Sequence, residues 1–246
     1  MFGAGKMKIC VPVCEKTRAA ALDAVREIRR TPAGLIEWRL DYFAEDILAA
    51  APAVLEAAGA LPVLCTFRTK SEGGERAIEP EDYFALNEAL GALGVPMLDL
   101  ELALCLAHEA RARKAIDALH AEGAVLVLSS HDFEKTPPRA VAWRRYAQMA
   151  ALGGDLPKIA VMPQCQRDVM VLLSAMTEAS AHAPPRWHLD GRARQNDARA
   201  RRGVRLCRDV CESKEKPPHR GRSMRRLWLP CCDRGESRDK NAALYK

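Results

Sequence analysis

Residues 34–67 read GLIEWRLDYFAEDILAAAPAVLEAAGALPVLCTF, and this stretch decides the fold. Two short apolar runs, Gly34–Leu40 and Leu61–Phe67, enclose an alanine-rich segment with helical spacing at about 45–58. Runs of this length suit strands that are buried on both faces, as in a parallel sheet covered by helices. The stretch therefore predicts one complete strand–helix–strand unit.

The same alternation extends over most of the chain. The predicted strands are Ile9–Val13, Gly34–Leu40, Leu61–Phe67, Val95–Glu101, Ala124–Ser129 and Pro157–Met162, and the predicted helices span about 17–30, 45–58, 81–93, 105–122, 138–151 and 165–181. Thr17 is expected to cap the first helix, and Pro80 to open the third. Strict alternation predicts an α/β fold with a parallel sheet, which is either an open doubly wound sheet or six-eighths of a (β/α)8 barrel. No G-x-G-x-x-G turn follows the first strand, which weighs against a dinucleotide-binding sheet.

Composition excludes several classes of protein. The chain has 246 residues, 48% of them hydrophobic and 28% charged, which excludes a disulfide-stapled miniprotein and a disordered chain. No apolar run reaches the roughly 18 residues that would suggest a membrane span, and the first residues lack the apolar core of a signal peptide. Five cysteines stand singly in the first 185 residues, and we expect them to be buried, reduced thiols of a cytoplasmic protein. They are Cys10, Cys14, Cys65, Cys105 and Cys165.

The positive net charge comes from the last quarter of the chain. Residues 1–185 contain 20 Lys and Arg against 24 Asp and Glu, whereas residues 186–246 contain 18 against 8. The acidic part gives no reason to expect nucleic acid. In the basic part the Arg-rich run 192–208 could be an RNA-binding arm, although no aromatic residues are interleaved with it. A zinc site is a further interpretation of this part, with irregular spacing, and would use Cys207, Cys211, His219, Cys231 and Cys232.

Ionisable residues follow or end five consecutive predicted strands, where reactive side chains collect in a parallel barrel. They are Glu37, Arg39 and Asp41, then Arg68 and Glu72, then Asp99 and Glu101, then His131 and Asp132, and finally Lys158. Lys158 lies within an otherwise apolar strand, where an unpaired ammonium group is costly. Burial leaves a neutral amine, which can attack a carbonyl carbon. This convergence predicts an active site.

The residue types indicate a particular chemistry. Lys158 would form a Schiff base with a ketone or aldehyde, and His131 would move protons near neutral pH. Either Glu72 or Glu37 would orient the histidine and stabilise its charge. Arg39 and Arg68 would bind an anionic group, most simply a carboxylate. Arginines are interleaved with the carboxylates, so we predict no metal cluster, and no cofactor motif is present.

The motifs, in this order, resemble those of type I 3-dehydroquinate dehydratases of the shikimate pathway, over about residues 7–183. The matching pieces are EWRLDYF at 37–43, TFRT at 66–69 with EGG at 72–74, DLE at 99–101, SHDF at 130–133 with TP at 136–137, and KIAVMP at 158–163. The resemblance implies a (β/α)8 barrel that acts without metal or cofactor, and usually as a homodimer.

The resemblance also implies roles for individual residues. Lys158 would form an imine with the C3 ketone of 3-dehydroquinate. His131 would remove the C2 proton and then protonate the departing C1 hydroxyl, giving 3-dehydroshikimate, while Glu72 orients and polarises the imidazole. The residues that would bind the substrate are Glu37, Trp38, Arg39 and Arg68.

The resemblance ends where the family has its seventh and eighth strands. We therefore divide the chain into a barrel region at 7–185, with six strand–helix units, and an anomalous Arg-rich tail at 186–246. Codons for His188–Cys211 can be chosen so that the next reading frame gives TWMGALGKMTRVLGGVFGSAVTF, which resembles the family's seventh unit. Codons for Pro217–Ser223 can likewise encode SAPGQI, the family's loop after the eighth strand, in the third frame. We hypothesise two frameshifts, near residue 186 and near residues 211–216, and expect the chain as written to fold poorly and to have little dehydratase activity.

Two other functions are compatible with the sequence. One is another Schiff-base barrel, such as a class I aldolase acting on a sugar phosphate, whose phosphate site would follow the seventh and eighth strands. The other is a degenerate barrel whose basic tail binds RNA with a salt-dependent affinity.

Overall fold

The structure is a computed structural model that describes residues 8–182. Strands and helices alternate along these residues. The strands are β1 (Cys10–Val13), β2 (Leu35–Arg39), β3 (Val63–Thr66), β4 (Met97–Glu101), β5 (Val125–Asp132) and β6 (Leu156–Val161). The helices are α1 (Arg18–Ile28), α2 (Ile47–Ala58), α3 (Pro80–Ala92), α4 (Leu102–Ala107), α5 (Glu109–Ala121), α6 (Arg139–Leu152) and α7 (Gln166–His182), and one 3₁₀ turn spans Lys70–Glu72.

The six strands form one parallel sheet in sequential order, from β1 to β6. A doubly wound sheet reverses its strand order at a switch point, and no such reversal occurs among the described strands. Sequential order with a helix after each strand is the arrangement of a (β/α)8 barrel. The described residues therefore form part of such a barrel, as the sequence predicted.

The sheet buries two apolar layers. The larger lies between the sheet and the helices, and includes Ile36, Leu98 and Leu126. The smaller lies on the other face of the sheet, and comprises Leu64, Met97 and Val127 with Leu35, Val125 and Leu156 packed against them. Because side chains alternate between the faces of a strand, the residue two positions further along lies on the same inner face. These following residues are Glu37, Thr66, Asp99, Ser129 and Lys158. A polar layer thus lies directly on an apolar one.

Several local predictions are confirmed. The Thr17 side chain accepts a hydrogen bond from the backbone N–H of Ala20 and caps α1. Pro80 is the first residue of α3, where its missing N–H costs nothing.

Two predicted boundaries are wrong. The helix predicted at 105–122 is instead α4 and α5, separated by His108, whose backbone has φ −127° and ψ 48°. Helix α4 begins directly after β4 because Leu102 and Cys105, one turn apart, are both buried. Strand β5 continues past Ser129, so His131 lies within the strand and not after it.

The cysteines match the prediction in part. Cys65 and Cys105 are reduced and buried, whereas Cys10 is partly buried and Cys165 is exposed, both with reduced thiols. The expectation of a reduced thiol is wrong for Cys14, which is disulfide-bonded.

The structure addresses the membrane prediction but not the predictions for the tail. Within residues 8–182 no helix has the length and apolar character that crossing a membrane requires. The zinc site, the RNA-binding arm and the frameshifts predicted for residues 186–246 lie outside the described residues.

Candidate active site

Lys158 projects from β6 into the inner polar layer and is almost completely buried. Its Nζ lies 3.5 Å from Oε1 of Glu37, which is on β2. Oε1 of Glu37 also accepts a hydrogen bond of 2.9 Å from Oγ1 of Thr66. In the described sheet β6 pairs with β5 and β2 pairs with β1 and β3, so the contact between Lys158 and Glu37 crosses the inside of the curved sheet.

His131 and Glu72 form a hydrogen-bonded pair one strand away from Lys158. Nδ1 of His131 lies 2.9 Å from Oε2 of Glu72, and the same oxygen accepts a bond of 3.2 Å from the backbone N–H of His131. Burial and the nearby Glu101 raise the pKa of Glu72 to about 8, although Arg68 acts in the opposite direction. Glu72 is thus able to exchange a proton with an imidazole near neutral pH.

Arg68 lies at the centre of a buried polar network. Its Nη2 donates to Oδ1 of Asp99 at 2.8 Å, and its Nη1 donates to Oε1 of Glu101 at 3.0 Å and to Oγ of Ser129 at 2.9 Å. Nη1 also lies 3.7 Å from Oε2 of Glu72. The guanidinium therefore holds two strands and the 3₁₀ turn together, besides any part it takes in binding a substrate.

Asp99 connects this network with the lysine and the histidine. Its Oδ1 accepts bonds from Ser129 and Arg68. Burial raises the pKa of Asp99, but the charges of Arg68, Lys158 and His131 outweigh this and lower the pKa below its ordinary value. An ionised carboxylate beside both reactive groups stabilises a positive charge on either one.

Arg39 and Trp38 lie on opposite faces of β2. Arg39 shares the inner face with Glu37, and its Nε and Nη2 donate to the two carboxylate oxygens of Asp41, each at 2.9 Å. Trp38 packs in the outer apolar layer, edge-on against Phe43 with ring centroids 5.2 Å apart. The structure thus does not bring Trp38 together with the other predicted substrate-binding residues.

An aromatic ring lies against the histidine. The ring of Phe133 is nearly parallel to that of His131, with an angle of 15° between the planes and 5.9 Å between the centroids. Phe133 also contacts Gly73, whose φ of +83° lies in the left-handed region. This contact fits the turn beside the histidine only because residue 73 has no side chain.

The structure pairs Lys158 with Glu37 and His131 with Glu72. Arg68 contacts Glu72 and Asp99, and the charges of Lys158 and His131 both act on Asp99. Sequence reasoning noted Asp99 and Glu101 at the end of their strand but assigned them no role, and it missed the contributions of Thr66 and Ser129. Thr66, Asp99 and Ser129 each lie two positions after a residue of the inner apolar layer, and this spacing is the signal that could have identified them. In the described part of the chain, no group of three or more His, Cys, Asp or Glu side chains could hold a metal ion.

Comparison with known proteins gives one consistent family. The sequence profile described as Type I 3-dehydroquinase matches residues 9–186. The 3-dehydroquinate dehydratase of Klebsiella pneumoniae subsp. pneumoniae is 42% identical over 180 residues, which cover 71% of this chain and 70% of that protein.

Solved structures agree with the sequence comparison. The 3-dehydroquinate dehydratase of Enterococcus faecalis superposes with a TM-score of 0.70 at 38% identity, covering 75% of this chain and 78% of that one. The type I enzyme of Clostridium difficile, solved with covalently modified comenic acid, has a TM-score of 0.70 at 32% identity, with 74% of each chain covered.

Similarity to an aldolase is limited to the fold. The deoxyribose phosphate aldolase of Aeropyrum pernix has a TM-score of 0.50 at 12% identity, covering 70% of this chain and 71% of that one. Family-specific motifs, sequence identity and structure all point instead to one group of hydro-lyases. The chain belongs to the type I 3-dehydroquinase family, whose characterised relatives are named 3-dehydroquinate dehydratases.

Proposed function

We propose that the chain dehydrates 3-dehydroquinate to 3-dehydroshikimate through an imine on Lys158. The neutral Nζ attacks the C3 ketone, the carbonyl oxygen leaves as water, and a protonated imine joins the lysine to the substrate. Glu37, whose Oε1 lies 3.5 Å from Nζ, can take a proton from the amine. The imine nitrogen withdraws electrons and acidifies the C2 hydrogen, so the reaction needs no metal or redox cofactor.

His131 is the proposed acid–base catalyst. Its imidazole removes the C2 proton, the C1–OH bond breaks as the C1–C2 double bond forms, and the same proton goes to the departing hydroxyl, which leaves as water. Hydrolysis of the imine then releases the product and restores the lysine. Glu72 holds Nδ1, which leaves Nε2 as the nitrogen that meets the substrate.

Substrate binding is assigned to residues of the inner face. Glu37 would bind a hydroxyl group of the substrate, while Arg39 and Arg68 add positive charge for an anionic substrate. Both arginines already bind carboxylates of the protein, so their contribution to affinity is an electrostatic one. Trp38, on the opposite face, is left out of this set.

One observation carries the proposal: a buried lysine and a glutamate-bound histidine share the inner face of adjacent parallel strands. Ser129 is the register partner of Lys158, and His131 lies two residues further along the same face. The Clostridium difficile relative, solved with covalently modified comenic acid, is compatible with a reactive group at this site.

A lysine substitution tests the mechanism. Lys158→Met should abolish turnover and should prevent borohydride from fixing the substrate to the chain, which mass spectrometry measures as an added mass. Lys114→Met, at an exposed position of α5, is the matched control and should keep both properties. Normal turnover in Lys158→Met would refute the imine, and cleavage of sugar phosphates in place of dehydration would favour the aldolase.

Two more predictions rest on family membership. We propose that the complete barrel forms a homodimer, and that the protein acts in the cytoplasm. Sedimentation of purified protein and fractionation of cells test them separately.

A further inference from the structure

Strand β4 continues beyond the point where β3 stops pairing with it. The last register pair between them is Thr66 with Asp99, whereas β4 extends to Glu101. The backbone N–H of Val125 on β5 donates to the carbonyl of Pro96, so even-numbered residues around β4 direct their peptide groups toward β5. In a parallel sheet alternate residues pair with opposite neighbours, so the peptide groups of Asp99 and Glu101 are directed to the side of β3.

A tyrosine occupies this side. The hydroxyl of Tyr83, from α3, donates to the backbone carbonyl of Asp99 at 3.2 Å and accepts from the backbone N–H of Glu101 at 3.0 Å. A further residue of β3 would offer those two bonds, one from its N–H and one to its C=O. A hydroxyl can supply both because it is a donor and an acceptor at once.

Packing restricts the position of the Tyr83 ring. Tyr83 is fully buried, and its ring packs edge-on against the rings of Phe67 and Phe84, with centroids 6.5 Å and 5.5 Å away. Burial, with Glu101 and Asp99 nearby, raises the pKa of Tyr83 well above its ordinary value, so the hydroxyl keeps the proton it donates.

Glu101 is the residue that benefits from this arrangement. Its Oε1 accepts from Nη1 of Arg68 and from the backbone N–H of Thr69, and its Oε2 accepts from Oγ1 of Thr69. Thr69 begins the turn that carries Glu72 to His131, and its carbonyl accepts from the N–H of Glu72. Any movement of the end of β4 is therefore transmitted to the Glu72–His131 pair.

We propose that Tyr83 is a positioning residue whose hydroxyl substitutes for the missing peptide of β3, and so holds Glu101, Arg68 and Thr69 where they align Glu72 with His131. The inference rests on the proposed function, since it assigns an indirect role in the same reaction. Tyr83 does not itself reach the inner face and Arg68 keeps its charge, so removal of the hydroxyl should affect the acid–base step more than the binding of substrate.

The test compares Tyr83→Phe with Tyr146→Phe, which removes the hydroxyl of another buried tyrosine on α6, outside this network. Turnover is counted per site that borohydride traps with substrate, so unfolded molecules do not enter the value. Tyr83→Phe should lower kcat per trapped site by about tenfold, the loss expected for one or two buried hydrogen bonds, with KM changed less than twofold. Tyr146→Phe should leave both constants unchanged.

The pH profile of kcat provides the readout that a purely structural role would not move. Without Tyr83 to hold Glu101, Arg68 should turn toward Glu72, which it already approaches at 3.7 Å. The other charged groups facing Glu72 are Glu101 and Asp99, which raise its pKa, and the closer Arg68 would outweigh them and lower that pKa. The limb of the pH profile governed by the Glu72–His131 pair should therefore move to lower pH. Unchanged kcat and an unchanged profile in Tyr83→Phe would overturn the inference. If neither the unsubstituted chain nor the same chain with its reading frame restored turns over or is trapped, the proposed function itself fails.

Discussion

Glu72 shows how this site exchanges stability for reactivity at the scale of one residue. A carboxyl group with an ordinary pKa near 4.5 is held in a buried place beside Glu101, and its pKa rises to about 8. Between these two values the folded chain keeps a proton that the unfolded chain has lost. By linkage, the contribution of Glu72 to the free energy of unfolding falls as pH rises through this window, and levels off above about 8.

Glu72→Gln should therefore make the chain slower but more stable. The amide can still accept from His131, yet it cannot exchange a proton with the imidazole, so we expect kcat to fall by about 10- to 100-fold. The variant should gain stability over the parent chain as pH rises from about 5 to 8, on the order of a few kcal/mol at most. Urea unfolding at pH 5 and pH 8 measures the difference. A gain that is larger at pH 5 than at pH 8 would contradict the raised pKa.

Which residues the sequence could identify depended on how unusual each one is. Lys158 and His131 were predicted because a charged or titratable side chain at the end of an apolar strand needs an explanation. Trp38 could have been separated from Glu37 and Arg39, because alternate residues of a strand lie on opposite faces, but the motif match grouped all three together. The part played by Asp99 and Glu101 required knowing that Arg68 lies between them.

At the scale of elements, the turn after β3 decides where the histidine's partner lies. The N–H of Gly74 donates to the carbonyl of Thr69 at 2.8 Å, and the N–H of Lys70 donates to the carbonyl of Arg76 at 3.0 Å. A Cβ on Gly74 would overlap the backbone carbonyl of Arg68, so this turn closes only with glycine. The closed turn directs Glu72 across to β5.

Gly73→Ala tests the contact between this turn and Phe133, with Gly94→Ala as the control. The two glycines have φ of +83° and +80°, so alanine costs each variant about 1–2 kcal/mol of backbone strain. At Gly73 the new Cβ would lie 2.5 Å from the ring of Phe133, whereas at Gly94 it would meet nothing within 4 Å in the described part of the chain. We expect similar losses in unfolding free energy, but a loss of kcat only for Gly73→Ala, because Phe133 must leave its stacked place on His131. Equal kcat values in the two variants would show that the stacking does not matter.

The positions of the strands were predicted well from the sequence, but one break between helices was not. Each of the six strands lies within about three residues of its predicted position, because runs of four to seven apolar residues between amphipathic segments are hard to mistake. The break at His108 was not predicted, because the sequence pattern does not show that Leu102 and Cys105 of the short α4 are buried.

At the scale of the whole molecule, the described sheet is an incomplete barrel. Within residues 8–182, β1 and β6 each pair on one side only. An eight-stranded barrel has no edges, because its last strand pairs with its first. The family resemblance supplies a seventh and an eighth strand after the lysine strand, and residues 186–246 match neither in the frame as written. We therefore propose that this region is translated out of frame.

Restoring the reading frame is the prediction that tests this proposal. Sequencing the coding DNA across codons 180–246 should reveal one base missing or extra near codon 186 and another near codons 211–216. A gene corrected at both places should encode the family's seventh unit and the loop after its eighth strand. The corrected chain should show higher kcat/KM and a higher unfolding temperature than the chain as written, since closing the barrel removes two open edges and completes the core. A second comparison distinguishes the frameshift hypothesis from the hypothesis that the tail binds RNA. If the tail is out of frame, the chain as written should bind RNA no more tightly than the corrected chain once salt is raised to a physiological level. DNA that reads as given, together with ordinary turnover from soluble, purified chain as written, would refute the frameshifts and would mean that six strand–helix units suffice for the reaction.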